Sequence, residues 1–361
     1  MTLSELALLG GDPIRTQPFP GYNSIGSKEK AAVLSVMDSG VLSRFVAGDN
    51  EDFLGGPQVR AFETAWATIF DSRHVIAMNS ATSGLYAAAG AAGIGPGDEV
   101  IVSPFTMMAS VTAAVVFNAV PVFADIDPKT FCMDVESIRR RISPRTKAII
   151  VVHIFGQPAA MTKIMALADE FGLAVIEDCA QAPLAAHDER QVGTFGHMAV
   201  FSLNYHKHIH TGEGGMVTTN DETFAHRLRL IRNHAEAVVG AREMGNVTNM
   251  VGFNFRMGEI EAAIGLCQLD KAPGLIKARQ QNVAYLESCL ACIPGLRMPE
   301  IGPNNTHVYY LHTLLFDPAV IGVSREIFVE ALRAELPPHE LRQREGTLIE
   351  ADSIAVYHQM R

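Results

Sequence analysis

The chain has 361 residues, of which 48% are hydrophobic and 19% are charged, and its formal net charge is −10. This length suffices for two domains with a large core, and an acidic chain without a basic run is not expected to bind nucleic acid or an anionic membrane. No apolar run is long enough to cross a membrane, and residues 1–20 lack the pattern of a signal peptide. The five cysteines are scattered. They suggest neither a disulfide framework nor a zinc ribbon, so a reducing, cytoplasmic setting fits best.

The first part of the chain is predicted to be an arm followed by helices. Residues 1–25 contain Gly10, Gly11 and three prolines, a composition typical of an extended arm. Residues 27–40 are helix-like, residues 43–58 form a glycine-containing loop, and residues 59–69 present apolar side chains at helical spacing.

From residue 74 onward, short apolar strands alternate with helices. Strands are predicted at residues 74–78, 99–103, 121–125, 148–154 and 173–176. Between them, a polar turn at 79–84 leads into a predicted helix that ends at about residue 92, and further helices are predicted at 109–117, 134–142 and 164–171. Because the strands are hydrophobic throughout, we expect an α/β fold with a mostly parallel sheet covered by helices on both faces. In such a sheet the ligand lies beyond the carboxyl ends of the strands.

After residue 219 the pattern changes. A helix is predicted at 221–233, and residues 235–250 show no period. A further helix is predicted to start after Arg256, and residues 272–290 are predicted to form a long connecting helix. Residues 296–361 mix extended pieces, such as 308–316, with a helix near 325–335. We therefore predict an arm (1–25), a large domain (26–270) and a smaller C-terminal α+β domain (271–361).

One lysine stands in a distinctive setting. Residues 201–219 read FSLNYHKHIHTGEGGMVTT, in which Lys207 precedes a glycine-rich turn and a second strand. Glycine allows the sharp turn, and a lysine held beside it on a stiff support is suited to form a Schiff base with a carbonyl compound. The plainer alternative is a surface lysine.

The histidines around this lysine allow a rival interpretation. His206, His208 and His210 alternate, so they would share a face if they lay on a strand, and that spacing could bind zinc. A metal-dependent enzyme is thus one alternative, and a polar loop beside a sheet is another.

A carboxylate follows an apolar strand in EDCAQA, residues 177–182. Asp178 there is expected at the ligand-binding edge, where a buried, unpaired carboxylate is unfavourable unless it meets a cation. The protonated ring nitrogen of pyridoxal 5′-phosphate (PLP) would be such a cation, with Gln181 donating to the ring oxygen. The alternative for Asp178 is a helix cap.

The polar turn at 79–84 precedes a predicted helix and is suited to bind an anion. Its hydroxyls and backbone N–H groups, in Ser80-Ala81-Thr82-Ser83, suit a phosphate, and Ser202 could add a hydroxyl. A plain helix N-cap is the alternative for this turn.

These segments together resemble the DegT/StrS family of PLP-dependent sugar aminotransferases. The resemblance covers most of residues 7–315. It is carried by the two segments around Asp178 and Lys207 and by VGTFGHMAVFS (192–202), IGPGDEVIVSPFT (94–106), PVFADIDPKTF (121–131), HIFGQPAAM (153–161), IRNH (231–234) and GFNFRMGEIEAAIGLCQLD (252–270).

The resemblance implies fold type I and a homodimer with active sites at the subunit interface. By matched position, Lys207 would be the Schiff-base lysine, Asp178 would pair with the pyridine nitrogen and Gln181 with the ring oxygen. The phosphate would be held by Thr82 with the Ala81–Ser83 backbone, by Ser202, and by Asn254 of the neighbouring subunit. Family dehydratases carry histidine in place of the lysine, so Lys207 favours transamination.

Two departures from the family pattern bear on function. Met107 stands where members usually stack an aromatic residue on the PLP ring, and a thioether can also pack on an aromatic face. Family members also continue with more of the small domain, so we expect a shortened one here. The function implied is amino transfer from glutamate or glutamine to a keto-sugar, nucleotide-linked or phosphorylated. A PLP-binding protein without turnover is the alternative.

Overall fold

A computed structural model describes residues 5–18, 23–235, 250–302 and 304–336. The predicted aperiodic segment 235–250 falls almost wholly outside these residues. The strands are β1 (His74–Met78), β2 (Glu99–Val102), β3 (Val120–Phe123), β4 (Thr146–Val152), β5 (Ala174–Asp178), β6 (Ala186–His187), β7 (Arg190–Gln191), β8 (Met198–Ser202), β9 (Gly215–Thr219), β10 (Leu296–Arg297) and β11 (Leu315–Phe316).

Most of the α-helices lie close to the predicted positions. The α-helices are α1 (Ser27–Ser39), α2 (Pro57–Ile69), α3 (Ala81–Ala91), α4 (Met108–Val115), α5 (Val135–Arg141), α6 (Met161–Phe171), α7 (Glu222–Arg232), α8 (Glu259–Leu290), α9 (Pro318–Ile321) and α10 (Arg325–Glu335). Of these, α9 was not predicted, and α8 is one helix where two were predicted. The side chain of Asp134 caps α5, and Gly172 ends α6 in the left-handed conformation. No helix of the described ranges is long and apolar enough to cross a membrane.

The large sheet has the strand order β1-β9-β8-β5-β4-β2-β3. The neighbours from β8 to β3 are parallel, whereas β9 is antiparallel to both β1 and β8. The prediction of a mostly parallel sheet is confirmed. Because β9 alone is reversed, the carboxyl ends of the other six strands meet at one edge.

Each face of the sheet carries its own hydrophobic core. Alternate residues of a strand point to opposite faces, so Val200 and Val217 pack with α3, α4 and α7 on one side. Phe201 and Met216 pack with α2 and α8 on the other side. Both faces are therefore covered by helices, as the continuous apolar strands predicted.

The chain divides into two compact units. The larger comprises Ile25–Val283 with Glu300–His312, and the smaller comprises residues 1–24, 284–299 and 313–361. In the smaller unit the Glu335 carboxylate accepts hydrogen bonds from the N–H groups of Ala7 (2.9 Å) and Ile14 (2.8 Å), which fasten the N-terminal arm to α10. The domain limits predicted from the sequence stay a prediction.

Candidate active site

Residues predicted to bind a cofactor lie where parallel strands end. Asp178 is the last residue of β5, Ser202 the last of β8, and Ser80 to Ser83 follow β1. Gly215, which begins the reversed strand β9, pairs with both Met78 and Ser202. The topology thus gathers segments far apart in sequence at one edge of the sheet, the position expected for a ligand.

Asp178 is buried and held by two donors. Its Oδ2 accepts a hydrogen bond from the Ser110 hydroxyl (2.7 Å), and its Oδ1 accepts one from the Ala180 N–H (3.1 Å). Within the described ranges no cation forms an ion pair with it, whereas the buried Arg232 is paired with Glu63 at 2.7 Å. A buried carboxylate that lacks a cation is unfavourable, so this edge is suited to a positively charged group.

The neighbouring carboxylate, Glu177, is fully used within the protein. It accepts from the N–H groups of Gly193 (2.8 Å), Phe195 (2.8 Å) and Gly196 (2.6 Å). It also lies 3.0 Å from His153 Nε2. Since His153 Nδ1 accepts from the Ala159 N–H, Nε2 carries the proton and donates to Glu177. This network ties the ends of β4 and β5 to the loop before β8.

His153, Glu177 and Cys179 also form the one group in the described residues whose candidate metal ligands all lie within 4.8 Å of one another. Their chemistry does not favour a metal ion. Both nitrogens of His153 and both oxygens of Glu177 are engaged, and burial raises the pKa of the Cys179 thiol well above its ordinary value, so the thiol keeps its proton.

Lys207 lies in a loop that closes on itself between β8 and β9. The Lys207 N–H donates to the Asn204 carbonyl (2.9 Å), and Leu203 N–H donates to the Gly214 carbonyl (2.9 Å). The Asn204 amide donates to Glu213 at 2.6 Å. The side chain of Lys207 is 9% exposed, so a small internal framework holds one nearly buried amine at the carboxyl end of β8.

The amine of Lys207 lies over an aromatic ring. Its Nζ is 4.1 Å from the centroid of Tyr310, a distance at which the ring face attracts a cation. Burial lowers the pKa of the nearby His208 to about 3, and the charge of Arg279 contributes. His208 therefore stays neutral at pH 7 and adds no positive charge beside the lysine.

Tyr310 reaches this position because its segment is docked on the turn after β4. Val308 N–H donates to the Gly156 carbonyl (3.0 Å), and Arg279 donates to the Tyr309 carbonyl (3.1 Å). Gly156 has φ of +96°, and a Cβ there would lie 2.9 Å from the backbone nitrogens of Tyr309 and Tyr310. Only glycine allows both this conformation and this approach.

The turn before α3 forms a compact cradle. Ser80 Oγ accepts from the Ser83 N–H (3.0 Å), which makes Ser80 the N-cap of the helix. A Cβ at Gly215 would lie 2.5 Å from the Ser80 carbonyl carbon, so β9 touches this backbone directly. Because the Ser83 N–H is already used by the cap, a phosphate here would depend on Ala81 and Thr82.

Of the remaining predicted residues, Gln181 and Ser202 are buried or half-buried, and Met107 and Asn254 are exposed. Gln181 is buried and its Oε1 accepts from the Phe155 N–H (2.6 Å), which fixes the orientation of the amide. Ser202 is half-buried, whereas Met107 precedes α4 and is 59% exposed. Asn254 is exposed and bridges to Asn233.

The predicted histidine face is not formed. Residues 206–210 make turns and bends rather than a strand, so alternation does not place the three side chains together. His208 is buried with Nε2 2.8 Å from the Val308 carbonyl, and the three histidines make no candidate metal group among the described residues. The zinc hypothesis required strand geometry, and the glycine-rich segment closes into a loop instead.

Three residues at this edge were missed by the sequence analysis. Ser110 and Thr106 stand behind Asp178, and Tyr310 lies over Lys207. The only sequence signal for the first two was their place just after the strand predicted at 99–103. Nothing in the sequence pairs residue 310 with residue 207.

Comparison with known proteins connects this geometry to a family. A family model described as the DegT/DnrJ/EryC1/StrS aminotransferase family matches residues 30–336. The chain belongs to this family. A GDP-perosamine synthase from Caulobacter vibrioides is 40% identical over 260 residues, 70% of this chain and 67% of that protein. An L-glutamine:2-deoxy-scyllo-inosose aminotransferase from Micromonospora echinospora is 33% identical over 346 residues, 93% of this chain and 80% of that protein.

Solved structures agree with the family match. The crystal structure of DesI in the presence of its TDP-sugar product has a TM-score of 0.80 at 30% identity and covers 99% of this chain and 96% of that one. A GDP-4-keto-6-deoxymannose-3-dehydratase with a trapped PLP-glutamate geminal diamine has a TM-score of 0.76 at 26% identity, covering 87% and 83%. As a DegT/DnrJ/EryC1/StrS family member, the chain is a fold type I aminotransferase, which confirms the predicted fold and enzyme class.

Proposed function

We propose that this chain binds PLP through Lys207 and transfers an amino group from glutamate or glutamine to a keto-sugar. One observation carries the proposal. Two groups lie at the carboxyl ends of the adjacent parallel strands β8 and β5: a nearly buried lysine and a buried carboxylate. Within the described part of the chain, no cation forms an ion pair with this carboxylate. An amine that can bond an aldehyde and an anion that can pair with a ring nitrogen are the two groups PLP chemistry needs.

The residues at the edge fit the parts of this cofactor. Asp178 would face the ring nitrogen, Gln181 the ring oxygen, and Ala81, Thr82 and Ser202 the phosphate. Ser83 would contribute through the cap that shapes the turn. Met107, at the start of α4, would offer its thioether to the ring face. When bound, PLP supplies the electron sink that makes the Cα proton of the amino donor removable.

Lys207 would have two tasks. Its amine holds the cofactor at rest, and once displaced by the donor it takes the Cα proton as a general base. A neutral amine is needed for that step. The neutral His208 nearby adds no charge that would work against it, while Tyr310 keeps the freed amine within the site.

Lys207 also distinguishes two reactions within this fold. One similar structure is a dehydratase, so likeness of fold alone leaves the reaction open. By the family resemblance, dehydratases carry histidine at the position that Lys207 occupies in this chain. The lysine at 207 therefore supports transamination over dehydration.

The names of the relatives support a sugar substrate. The Caulobacter protein is named a GDP-perosamine synthase, and DesI was solved with a TDP-sugar product. The Micromonospora relative is named for L-glutamine as donor. We propose a keto-sugar, nucleotide-linked or otherwise phosphorylated, with glutamine or glutamate as donor and a homodimer as the active form.

The test is to fix the cofactor chemically and find the residue that carries it. Protein incubated with PLP is reduced with borohydride, digested and analysed by mass spectrometry. We expect the cofactor mass on the peptide containing Lys207, and none there in Lys207→Ala. Lys163→Ala, on the exposed side of α6, is the matched control and should label as wild type. Labelling of other lysines alone would overturn the assignment.

A second measurement tests the transfer itself. Holoenzyme is mixed with glutamate or glutamine, and cofactor absorbance is followed, first without and then with a panel of nucleotide-linked keto-sugars. Spectral change with a donor, reversed by a keto-sugar, supports the proposal. A labelled, yellow protein that reacts with no donor would show that it binds PLP without turnover.

A further inference from the structure

Behind Asp178 lies a short chain of buried hydroxyl groups. Ser110, on α4, donates to Asp178 Oδ2 at 2.7 Å, and its oxygen is 3.0 Å from Thr106 Oγ1. Ser110 is 0% exposed, Thr106 is 1% exposed and Asp178 is 5% exposed. Hydrogen bonds in such surroundings are strong, and unpaired groups there are unfavourable.

The direction of these bonds follows from proton counting. An ionised carboxylate only accepts, so Ser110 must give its single hydroxyl proton to Asp178. The Ser110 oxygen then accepts from Thr106. With the Ala180 N–H on Oδ1, both oxygens of Asp178 accept a hydrogen bond from the protein.

We propose that Ser110 and Thr106 are positioning residues that keep the shared proton on the cofactor's ring nitrogen rather than on Asp178. The proposal rests on the proposed function, because it concerns the partner of that ring. Ser110 and Ala180 both donate to the carboxylate, and Thr106 holds the Ser110 hydroxyl in the donating orientation. The carboxylate then remains an anion, the ring remains a cation, and the electron sink is preserved.

Other groups around Asp178 do not duplicate this effect. Glu177, adjacent on β5, is occupied by His153 and three backbone N–H groups. Cys179 keeps its proton because burial raises its pKa. β8 presents the apolar Val200 opposite Asp178, and the N–H of His153, just after β4, donates to the Asp178 carbonyl (3.1 Å). Ser110 is thus the side-chain donor that the described residues place on this carboxylate.

The experiment uses a cofactor analogue that cannot react with the lysine. Full-length protein freed of PLP is saturated with 4′-deoxypyridoxine 5′-phosphate labelled with ¹⁵N in the ring, and the ¹⁵N chemical shift is followed from about pH 6 to about pH 10. This shift reports whether the ring nitrogen carries a proton. It reads the proton's location directly and does not depend on turnover.

In Ser110→Ala the pH at which the ring nitrogen loses its proton should fall by about one unit, a roughly tenfold change in the protonated-to-neutral ratio. Thr106→Val, which keeps the shape of the side chain, should cause a smaller fall, of about threefold in that ratio. Thr106→Ser keeps the hydroxyl and should behave as wild type. Thr218→Val removes an equally buried hydroxyl, one that donates to the Gly193 carbonyl, and should leave the midpoint unchanged.

The outcomes separate the two proposals. If wild-type protein fails to bind the analogue, the cofactor assignment itself fails. If the analogue binds and both Ser110→Ala and Thr106→Val titrate as wild type, the positioning role is overturned. Should Ser110→Ala not fold, Thr106→Val decides the question, with Thr106→Ser as its rescue.

Discussion

At the residue scale, two adjacent carboxylates on β5 have opposite roles because a strand presents successive side chains to opposite faces. Glu177 accepts hydrogen bonds from His153 and three backbone donors, so both of its oxygens are satisfied inside the fold. Asp178 has a hydroxyl and one backbone donor, and no cation among the described residues pairs with it. Only Asp178 is left to bind a positively charged group.

The corresponding prediction concerns Asp178→Asn, which keeps the size of the side chain and removes its charge. We expect the variant to bind PLP but to transfer the amino group from glutamate at least ~100-fold more slowly, about 2.7 kcal/mol of barrier. The charge matters most where negative charge develops on the ring. Single-turnover absorbance with excess glutamate measures the rate. Asp169→Asn, on the exposed face of α6, is the control, and a near wild-type rate in Asp178→Asn would reduce Asp178 to a structural role.

The sequence identified some of these residues and not others for a physical reason. Lys207 and Asp178 each follow a strand, so local pattern and family resemblance both point to them. Ser110 contacts Asp178 across 68 residues of sequence. That contact depends on how α4 packs against the sheet, which no local pattern encodes. The same holds for Tyr310, whose place is decided by the approach of its segment to Gly156.

At the element scale, strands and helices were predictable where the local apolar pattern is clear. The helix at 325–335 was predicted from apolar side chains at helical spacing, and the strand at 74–78 from a short continuous apolar run. The antiparallel direction of β9 was not predicted, because the apolar pattern of a strand does not indicate its direction in the sheet. Of the extended stretch predicted at 308–316, only Leu315–Phe316 forms a strand, because the preceding residues bond to the turn after β4 instead.

Close packing between β9 and the start of α3 gives a prediction at this scale. Gly215→Ala would place a Cβ 2.5 Å from the backbone of Ser80, so the helix N-terminus must shift. We expect PLP affinity to fall by at least about tenfold, because backbone N–H groups would no longer point at the phosphate. Equilibrium dialysis measures this. In Gly274→Ala the added Cβ meets nothing within 4 Å, so that variant should bind as wild type. Unchanged affinity in Gly215→Ala would exclude this cradle as the phosphate site.

The stability of the large unit should depend on pH through two buried histidines. Burial lowers the pKa of both His208 and His307 to about 3, from an ordinary value of 6.5. The unfolded chain therefore binds more protons below pH 6.5. The contribution of the two neutral histidines to the free energy of unfolding is fully present above that pH and is lost as the pH falls towards 3. Between pH 6.5 and 5.5 the loss should be roughly 2 kcal/mol for the pair.

Fluorescence of the single tryptophan, Trp66, in denaturant titrations at several pH values measures this loss. The glutamine in His208→Gln can still donate to the Val308 carbonyl. This variant should show about half of the wild-type change in unfolding free energy with pH. Glu29→Gln is the control. Burial raises the pKa of Glu29, but hydrogen bonds from Lys271, the Gly26 N–H and Gln268 outweigh it and lower the pKa to about 2. The contribution of Glu29 to the free energy of unfolding is lost only below about pH 4.5. Between pH 6.5 and 5.5, Glu29→Gln should therefore show the wild-type dependence of unfolding free energy on pH. The same dependence in His208→Gln would contradict the argument.

At the scale of the whole molecule, several apolar side chains remain exposed on the single chain. The edge strand β3 exposes Val120 (50%) and Phe123 (41%), and Met107 is 59% exposed near the candidate site. Exposed apolar surface beside a site is typical of a surface that another subunit covers. Asn254 is exposed as well, in keeping with a residue that would serve a neighbouring subunit's site rather than its own.

A shared site makes a prediction that a site within one chain does not. If each site takes Lys207 from one subunit and Asn254 from the other, Lys207→Ala is inactive and Asn254→Ala binds PLP weakly. A heterodimer of the two variants then has one site with both mutations and one with neither. Random mixing gives about half heterodimers, so about a quarter of wild-type activity should return at limiting PLP. Mixing at low denaturant, with differently tagged subunits to isolate the heterodimer, makes the comparison direct.

The controls distinguish a site shared between two subunits from a simple sum of the parent variants' activities. Lys207→Ala mixed with Asp178→Asn should regain nothing beyond the residual activity of its parts, because both residues belong to the same subunit's site. Isolated heterodimers of Lys207→Ala and Asn254→Ala should bind one PLP per dimer tightly, and borohydride should fix it on the subunit that retains Lys207. If these heterodimers are no more active than the Asn254→Ala parent, Asn254 does not act across the interface. The site would then be complete within one chain, and the exposed position of Asn254 would need another explanation.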